Sequence, residues 1–474
     1  MKSVERAAYG DFQTPLPLAR EVCRQLAASG LKPATIVEPT CGVGAFLRAA
    51  GESFPSARLW GQDINRDYVE QARASLSEAG HDATIECGDF FPTPWAERLA
   101  KWPDPVLVLG NPPWVTSAEL GGLGVDNLPV KTNYEGLSGL AAKTGKANFD
   151  ISEWMLVHWL ELGQSRPLDV AMLVKTAVAR RVLEGAHRRG LSLHGASLHR
   201  IDARVHFGAA VDAGLFRFST GSTAEIACPV FAELGATEAE AELAVRDGRL
   251  IADARAYAEA EAVLGQADPL WRSGVKHDCS RVMELRRNGE TLVNAAGQHV
   301  ELEPEHCVPL LKSSDLRGED DPPVRRWLVL PQRRFGEDTA TLAERSPRTW
   351  RYLLEHGDAL DGRRSSIYRN QPRFAVFGLG PYSFKPWKIA ISGLVKRSAF
   401  TLVGPHEGQP VMLDDTCYFI GFDDEPAARE ALQLLRSAPA QAVLRALVFR
   451  DAKRPVTKDV LDRIDLGKLR ECSR

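Results

Sequence analysis

The sequence lacks the features of a membrane protein and of a disulfide-rich secreted domain. No apolar run approaches the roughly 20 residues that cross a bilayer, and the opening stretch, MKSVERAAYGDFQTP, has no apolar core of a secretory signal. None of the eight cysteines forms a CxxC pair, so neither a zinc cluster nor a disulfide framework is indicated. We therefore expect a cytoplasmic protein with reduced thiols and no metal site.

Net charge is also nearly absent, at −3 over 474 residues, which by itself does not indicate a nucleic-acid partner. The charge is unevenly placed, however. Residues 322–400 carry 12 Arg and 3 Lys against 3 Glu and 3 Asp, a balance of 15 − 6 = +9, with Trp and Tyr side chains interleaved. This composition is typical of phosphate contact and base stacking, and it is equally that of a solvated surface that balances an acidic remainder.

The length and the order of elements predict the architecture. A chain of 474 residues is too long for one ordinary core and predicts two or three domains. In the first half, amphipathic helices alternate with four strand-like stretches, ATIVEPT, ARLWGQDI, ATIECGDFF and PVLVLGNPPW. That order predicts a doubly wound α/β sheet, in which ligands bind beyond the carboxyl ends of the strands.

The ends of the first three strands carry a candidate cofactor site. The first ends in EPTCGVGAFL, where Gly42 and Gly44 permit a tight turn, although neither GxGxxG nor a phosphate loop is present. Asp63 ends the second strand and can accept from both hydroxyls of a ribose. Asp89 follows the third strand, where it can accept from an adenine amino group. Either carboxylate alone is more often a helix cap, but the combination predicts a nucleoside cofactor held without a phosphate cradle.

The fourth strand ends in NPPW, residues 111–114, which suits the activation of an amino group. The exocyclic amine of a purine is a poor nucleophile because its lone pair is delocalised into the ring. Two acceptors aimed at its N–H bonds favour a pyramidal nitrogen, and the Asn111 side-chain oxygen and the Pro112 carbonyl can supply them. Pro112 and Pro113 stiffen the turn, and Trp114 offers a face on which a base can stack.

These motifs, in this order, resemble those of the gamma-class amino-group DNA methyltransferases, which act on adenine N6. The resemblance implies a Rossmann-like sheet of the class I methyltransferases, S-adenosylmethionine as cofactor, double-stranded DNA as substrate, base flipping, and a C-terminal α+β target-recognition domain. It places Thr14 of DFQTP, with Glu38 and the two glycines, at the methionine part of the cofactor. The residues that match its sites are Thr14, Glu38, Gly42, Gly44, Asp63 and Asp89 for the cofactor and Asn111, Pro112, Pro113 and Trp114 for catalysis.

The rest of the chain matches more loosely. HFGAAVDAGLFRFSTG resembles the family's hairpin, so Phe207 is the candidate to stack on the flipped base opposite Trp114, with a core phenylalanine as the other interpretation. We predict a catalytic domain at residues 1–265 and a recognition domain at 266–474, with Arg363, Arg364 and Lys385 as DNA-contact candidates. A restriction-modification or phage-defence system is the implied setting, with a separate restriction or defence subunit as a possible partner. An amino-group methyltransferase that acts on RNA or on a protein glutamine is the alternative, and the large C-terminal region argues against it.

Overall fold

The computed structural model describes residues 12–116, 150–222, 226–289, 291–394 and 399–472. The chain divides into two compact units, residues 1–254 and 255–474. Residues 145–149, the first five of the stretch GKANFDISEWMLVHWL, lie outside the described residues. No helix in the described ranges is long and apolar enough to cross a membrane.

The first unit is built on one ten-stranded sheet. Its strands are β1 (Thr35–Glu38), β2 (Arg58–Asp63), β3 (Ala83–Cys87), β4 (Val106–Gly110), β5 (Asp169–Lys175), β6 (Leu193–Ile201), β7 (Ala213–Thr220), β8 (Ala227–Phe231), β9 (Ala239–Arg246) and β10 (Arg249–Ile251). Its helices are α1 (Leu16–Ala28), α2 (Ala45–Ser53), α3 (Arg66–Glu78), α4 (Trp95–Leu99), α5 (Ile151–Leu162), α6 (Thr176–Arg189) and α7 (Ala203–Phe207).

The strand order is β10-β9-β8-β6-β7-β5-β4-β1-β2-β3. Strands β3, β2, β1, β4 and β5 are mutually parallel, and β7 lies antiparallel between β5 and β6. The predicted doubly wound α/β sheet is therefore confirmed. Because the five neighbouring strands are parallel, their carboxyl ends meet at one edge of the sheet.

Burial and capping explain these elements. β1 and β4 are buried along their whole length, as expected for the centre of a parallel sheet covered on both faces. The buried residues of α1 include Leu18, Val22 and Leu26, which recur at helical spacing. The Asn65 side chain accepts from the backbone of α3 and caps its start. Strands β9 and β10 form a hairpin that is joined through Asp247 and Gly248, both at positive φ.

The second unit has an α+β architecture with two sheets. The strands, in chain order, are β11 (Arg272–Ser273), β12 (Glu284–Asn288), β13 (Thr291–Val293), β14 (His299–Val300), β15 (Cys307–Leu311), β16 (Arg326–Val329), β17 (Trp387–Ser392), β18 (Thr401–Val403), β19 (Met412–Leu413) and β20 (Cys417–Phe422). One sheet has the order β11-β20-β17-β18 and the other β14-β13-β12-β16-β15-β19.

The second unit also contains helices. The stretch EPAAREALQLLRSAPAQAVLRALVF near the C-terminus forms two of them, because Ser437 is extended between them. The helices are α8 (Ala254–Ala260), α9 (Ser280–Met283), α10 (Leu342–Arg345), α11 (Pro347–Glu355), α12 (Gly357–Asp361), α13 (Glu425–Arg436), α14 (Ala438–Leu447), α15 (Lys458–Leu461) and α16 (Leu466–Cys472).

Candidate active site

The turn between β1 and α2 joins the ends of the first two strands. Gly42 has φ +51° and Gly44 has φ +81°, the left-handed region that favours glycine. The backbone N–H of Gly42 donates to Oδ2 of Asp63 over 2.8 Å. A Cβ on Gly44 would lie 3.0 Å from the Cβ of Ala72. Glycine at both positions therefore lets the turn approach the end of β2 and the surface of α3.

The two predicted acidic residues lie at neighbouring strand ends. Oδ1 of Asp63 accepts from the backbone N–H of Asn65 over 2.8 Å, and Oδ1 of Asp89 accepts from that of Phe91 over 3.0 Å. These bonds fix the direction of each carboxylate at the ligand-binding edge of the sheet. Ile64 is 55% exposed directly beside Asp63, and it was not among the residues predicted from the sequence. The signal that could have identified it is an apolar residue between the end of β2 and Asn65, which caps α3.

Glu38, the last residue of β1, is a buried carboxyl that is only partly compensated, by a hydrogen bond from the backbone of Leu47. Only 3% of it is exposed, and Oε2 has no hydrogen-bond partner among the described residues. Burial raises the pKa of Glu38 well above its usual range, and the negative charge of Asp63 adds to the rise. Oγ1 of Thr40, two residues on, is also buried and without a partner in the described part of the chain. These two unpartnered oxygens suit a ligand that brings a positive charge and hydrogen-bond donors.

Asn111 follows β4, and its amide has a defined orientation. Nδ2 donates to the backbone carbonyl of Phe12 over 2.8 Å. Oδ1 is buried and finds no donor within the described ranges. Asn111 lies near Glu38, because a Cβ on the residue before Asn111, Gly110, would lie 3.4 Å from Cγ of Glu38. Asn111 therefore presents an unused acceptor, next to the turn that carries the cofactor-site candidates.

Three aromatic rings pack together at the catalytic motif. The ring centroids of Trp114 and Phe207 are 5.1 Å apart at 72°, and Phe12 lies 5.7 Å from Trp114 and 6.1 Å from Phe207. Trp114 is only 5% exposed, and its Nε1 donates to the Leu173 carbonyl over 3.1 Å. A base stacked between two rings holds them about 7 Å apart. The predicted base sandwich therefore requires Trp114 and Phe207 to separate first.

The other predicted residues flank this centre. Thr14 directly precedes Pro15, the residue at the N-cap position of α1. Pro112 is buried and Pro113 half-buried. Phe207 ends α7, the short helix that connects β6 to β7, so its ring is held by a helical turn within the predicted hairpin.

The three recognition candidates in the second unit differ in their surroundings. The Arg363 guanidinium donates to the carbonyls of Leu360, His277 and Ala375 and lies 3.9 Å from the ring centroid of Tyr368. These contacts of Nε and Nη1 give Arg363 a structural role within the unit, and its place on a DNA-contact surface stays a prediction. Nζ of Lys385 is paired with Asp423 at 2.5 Å. Arg364 is exposed and is the available cation of the pair.

Comparison with known proteins gives one relative along nearly the whole chain. The chain is 40% identical over 468 residues to the type II methyltransferase M.NspV of Nostoc sp., covering 97% of each protein. It is 36% identical over 117 residues to the type II methyltransferase M.XamI of Xanthomonas campestris pv. amaranthicola, which is 24% of this chain and 21% of that protein. No protein-family model matches the chain.

Among solved structures, the fold is similar to that of the type IIL restriction-modification enzyme MmeI in complex with DNA, with a TM-score of 0.53 and 12% identity. The match covers 97% of this chain and 66% of the MmeI chain, and it supports the fold alone.

Proposed function

Because the chain belongs to the type II methyltransferase family, we propose that it methylates the N6 amino group of adenine at a specific sequence in double-stranded DNA. The methyl donor is S-adenosylmethionine, and the enzyme is a DNA methyltransferase of the restriction-modification type. The choice of an exocyclic amine as the target rests on one observation, the orientation of Asn111, and the choice of adenine rests on the resemblance of the motifs to those of the gamma-class enzymes. The Asn111 oxygen is buried and unused among the described residues while its nitrogen is engaged, which is what an acceptor for an incoming amine requires.

The strand ends fit the methyl donor. A buried carboxyl at Glu38 with an unpartnered oxygen suits the ammonium group of the methionine part, because an opposite charge restores the ionised form. Asp63 is oriented to accept from ribose hydroxyls and Asp89 from the adenine amino group of the donor. When bound, S-adenosylmethionine supplies an electrophilic methyl group on a sulfonium.

Asn111 and Pro112 prepare the amine for that methyl group. The Asn111 oxygen and the Pro112 carbonyl accept hydrogen bonds from the two N–H groups of the target amine, which localises its lone pair. Proline suits this position because it keeps a carbonyl while restricting the backbone. Holding the amine in this geometry reduces the entropic cost of reaching the transition state.

Adenine N6 is paired and stacked inside a duplex, so the target base leaves the helix. Separation of Trp114 and Phe207 would open a slot for it, and stacking on both rings would offset part of the unstacking cost, on the order of a few kcal/mol. The residues predicted for target recognition, 266–474, include the basic segment. A separate restriction or defence subunit is the proposed partner in the cell.

The direct test maps N6-methyladenine in host DNA after expression in a methylation-free strain. We expect one modified sequence motif with the wild type and none with Asn111→Ala, while the variant still binds S-adenosylmethionine. Equal methylation by Asn111→Ala would refute the role of the amide. If the wild type leaves DNA unmodified, isotope-labelled donor offered with RNA and with glutamine-containing protein decides between the two alternative substrates.

A further inference from the structure

The short segment before α1 contacts both the glycine turn and the catalytic asparagine. The carbonyl of Phe12 accepts from Nδ2 of Asn111 over 2.8 Å. In the next residue, Oε1 of Gln13 accepts from the backbone N–H of Val43 over 3.1 Å. Two adjacent residues thus bridge the ends of β1 and β4.

Gly42 leaves the space that the Gln13 side chain occupies. A Cβ on Gly42 would lie 2.3 Å from Oε1 of Gln13 and 3.0 Å from its Cδ. No such contact is tolerated between real atoms, so any other residue at position 42 would displace the Gln13 amide. Glycine at position 42 therefore also allows Oε1 of Gln13 to accept from the backbone N–H of Val43.

The orientation of the Asn111 amide has a direct chemical consequence. A side-chain amide carries one acceptor and one donor group, and a flip about its last bond exchanges them. A backbone carbonyl only accepts, so the Phe12 carbonyl selects the orientation in which Nδ2 faces it and Oδ1 faces away. The flipped orientation would present N–H donors to an amine that must itself donate.

We propose that Gln13 is a positioning residue, which anchors the Phe12 carbonyl on Asn111 and thereby sets Oδ1 of Asn111 as the acceptor for the target amine. The inference rests on the proposed function for the identity of that amine. Gln13 is held at the turn between β1 and α2 and acts on Asn111 through the Phe12 carbonyl. Its loss should therefore change the rate of methyl transfer.

The first test needs neither cofactor nor substrate. In protein labelled with ¹⁵N-asparagine, hydrogen exchange of the Asn111 side-chain amide is measured by NMR in the wild type and in Gln13→Leu. Leucine has a similar size but cannot accept from Val43. We expect exchange to be at least about tenfold faster in Gln13→Leu, because the bond to Phe12 is no longer held. The matched control is Gln25→Leu, which removes a glutamine that contacts His199 and should leave Asn111 exchange unchanged. Unchanged exchange in Gln13→Leu would overturn the proposal.

The second test separates positioning from cofactor binding. We expect Gln13→Leu to lower the single-turnover transfer rate about tenfold at saturating donor and DNA, with the calorimetric Kd for S-adenosylmethionine within about threefold of the wild type. A weaker Kd with an unchanged saturated rate would make Gln13 a cofactor ligand and refute positioning. Wild-type protein that fails to methylate DNA refutes the proposed substrate instead, and the exchange experiment then decides the role of Gln13.

A substitution at Asn111 adds a distinct pH signature. In Asn111→Asp, the carboxyl must keep a proton to donate to the Phe12 carbonyl, so the transfer rate should fall as the pH rises. In the double variant with Gln13→Leu, the carbonyl is not held and this pH dependence should weaken. Parallel pH profiles in the single and double variants would show that Gln13 does not act through the Phe12 carbonyl.

Discussion

Two buried acceptors in the first unit, Oε2 of Glu38 and Oδ1 of Asn111, lack partners among the described residues. A buried polar atom without a hydrogen bond costs roughly 1 to 3 kcal/mol. Folded proteins keep few such atoms. Two of them at neighbouring strand ends lower the stability of the fold at the place where ligands would donate the missing hydrogen bonds. Oε2 of Glu38 suits the methyl donor, S-adenosylmethionine, and Oδ1 of Asn111 suits the amine of the substrate.

Glu38 should couple cofactor binding to proton release. Burial, reinforced by the charge of Asp63, raises the pKa of Glu38 well above its usual range, so the carboxyl holds a proton over a range of pH in which a free glutamate is ionised. Pairing with the cofactor ammonium requires the ionised form. Binding therefore releases a proton, and the affinity for S-adenosylmethionine should rise with pH until the raised pKa is passed, then level off.

Calorimetry in buffers of different ionisation enthalpy measures this release directly. We expect up to one proton per cofactor for the wild type and none for Glu38→Gln, whose affinity should be at least about tenfold weaker. Equal proton release in both proteins would assign the linkage to another group.

At the scale of elements, the turn between β1 and α2 offers a matched pair of glycine substitutions. Gly42 and Gly30 both have positive φ, so Ala at either position should cost roughly 1 to 2 kcal/mol in the free energy of unfolding. Around Gly30 nothing lies within 4 Å of an added Cβ, whereas at Gly42 the Cβ meets the Gln13 side chain. We expect Gly42→Ala alone to slow methyl transfer at saturating S-adenosylmethionine and DNA, because it displaces the Gln13 side chain, and urea unfolding of both variants measures the cost in stability. Equal transfer rates in the two variants would show that displacement of Gln13 does not affect the transfer step.

The order of elements in the first unit was predictable because the spacing of apolar residues and the positions of turn residues and helix caps agree there. Buried strands such as VLVLG are continuous apolar runs, and each is followed by a turn residue or cap that ends it. The sequence also indicated which strand ends would carry polar groups, since parallel strands share one edge. The bond from Asn111 to the Phe12 carbonyl was not predictable, because it joins residues 99 positions apart and involves a backbone atom that no side-chain pattern reveals.

The hydrogen-bond partners of individual arginine side chains were also not predictable from the sequence. The sequence places Arg363 and Arg364 side by side, and no pattern distinguishes an arginine that binds carbonyls of its own unit from one that faces solvent. The structure separates them, since Arg363 is held by three carbonyls and Arg364 is exposed.

At the scale of the whole molecule, the excess of positive charge in residues 322–400 is smaller than the count of charged side chains suggests. Several cations of residues 322–400 are neutralised by acidic partners, most of which lie outside the segment, and Lys388 is buried in β17. The ion pairs are Arg326 with Asp315, Arg348 with Glu303, Arg373 with Asp361 and Lys385 with Asp423. The exposed arginines of the segment that have no ion pair within the described ranges are Arg325, Arg333, Arg334, Arg345, Arg351, Arg364 and Arg369. These seven are the cations available to phosphates.

Salt dependence of DNA binding tests that assignment. Each phosphate contact contributes about 0.9 to the slope of log K against log salt concentration, so Arg364→Gln should weaken binding and make the slope less negative by about that amount. Arg363→Gln is the adjacent control. It should lower the free energy of unfolding, because three carbonyls lose their donor, while the salt slope of the folded protein stays at the wild-type value. A slope that changes in Arg363→Gln but not in Arg364→Gln would place the inner arginine on the DNA and require the loop that carries both residues to rearrange on binding.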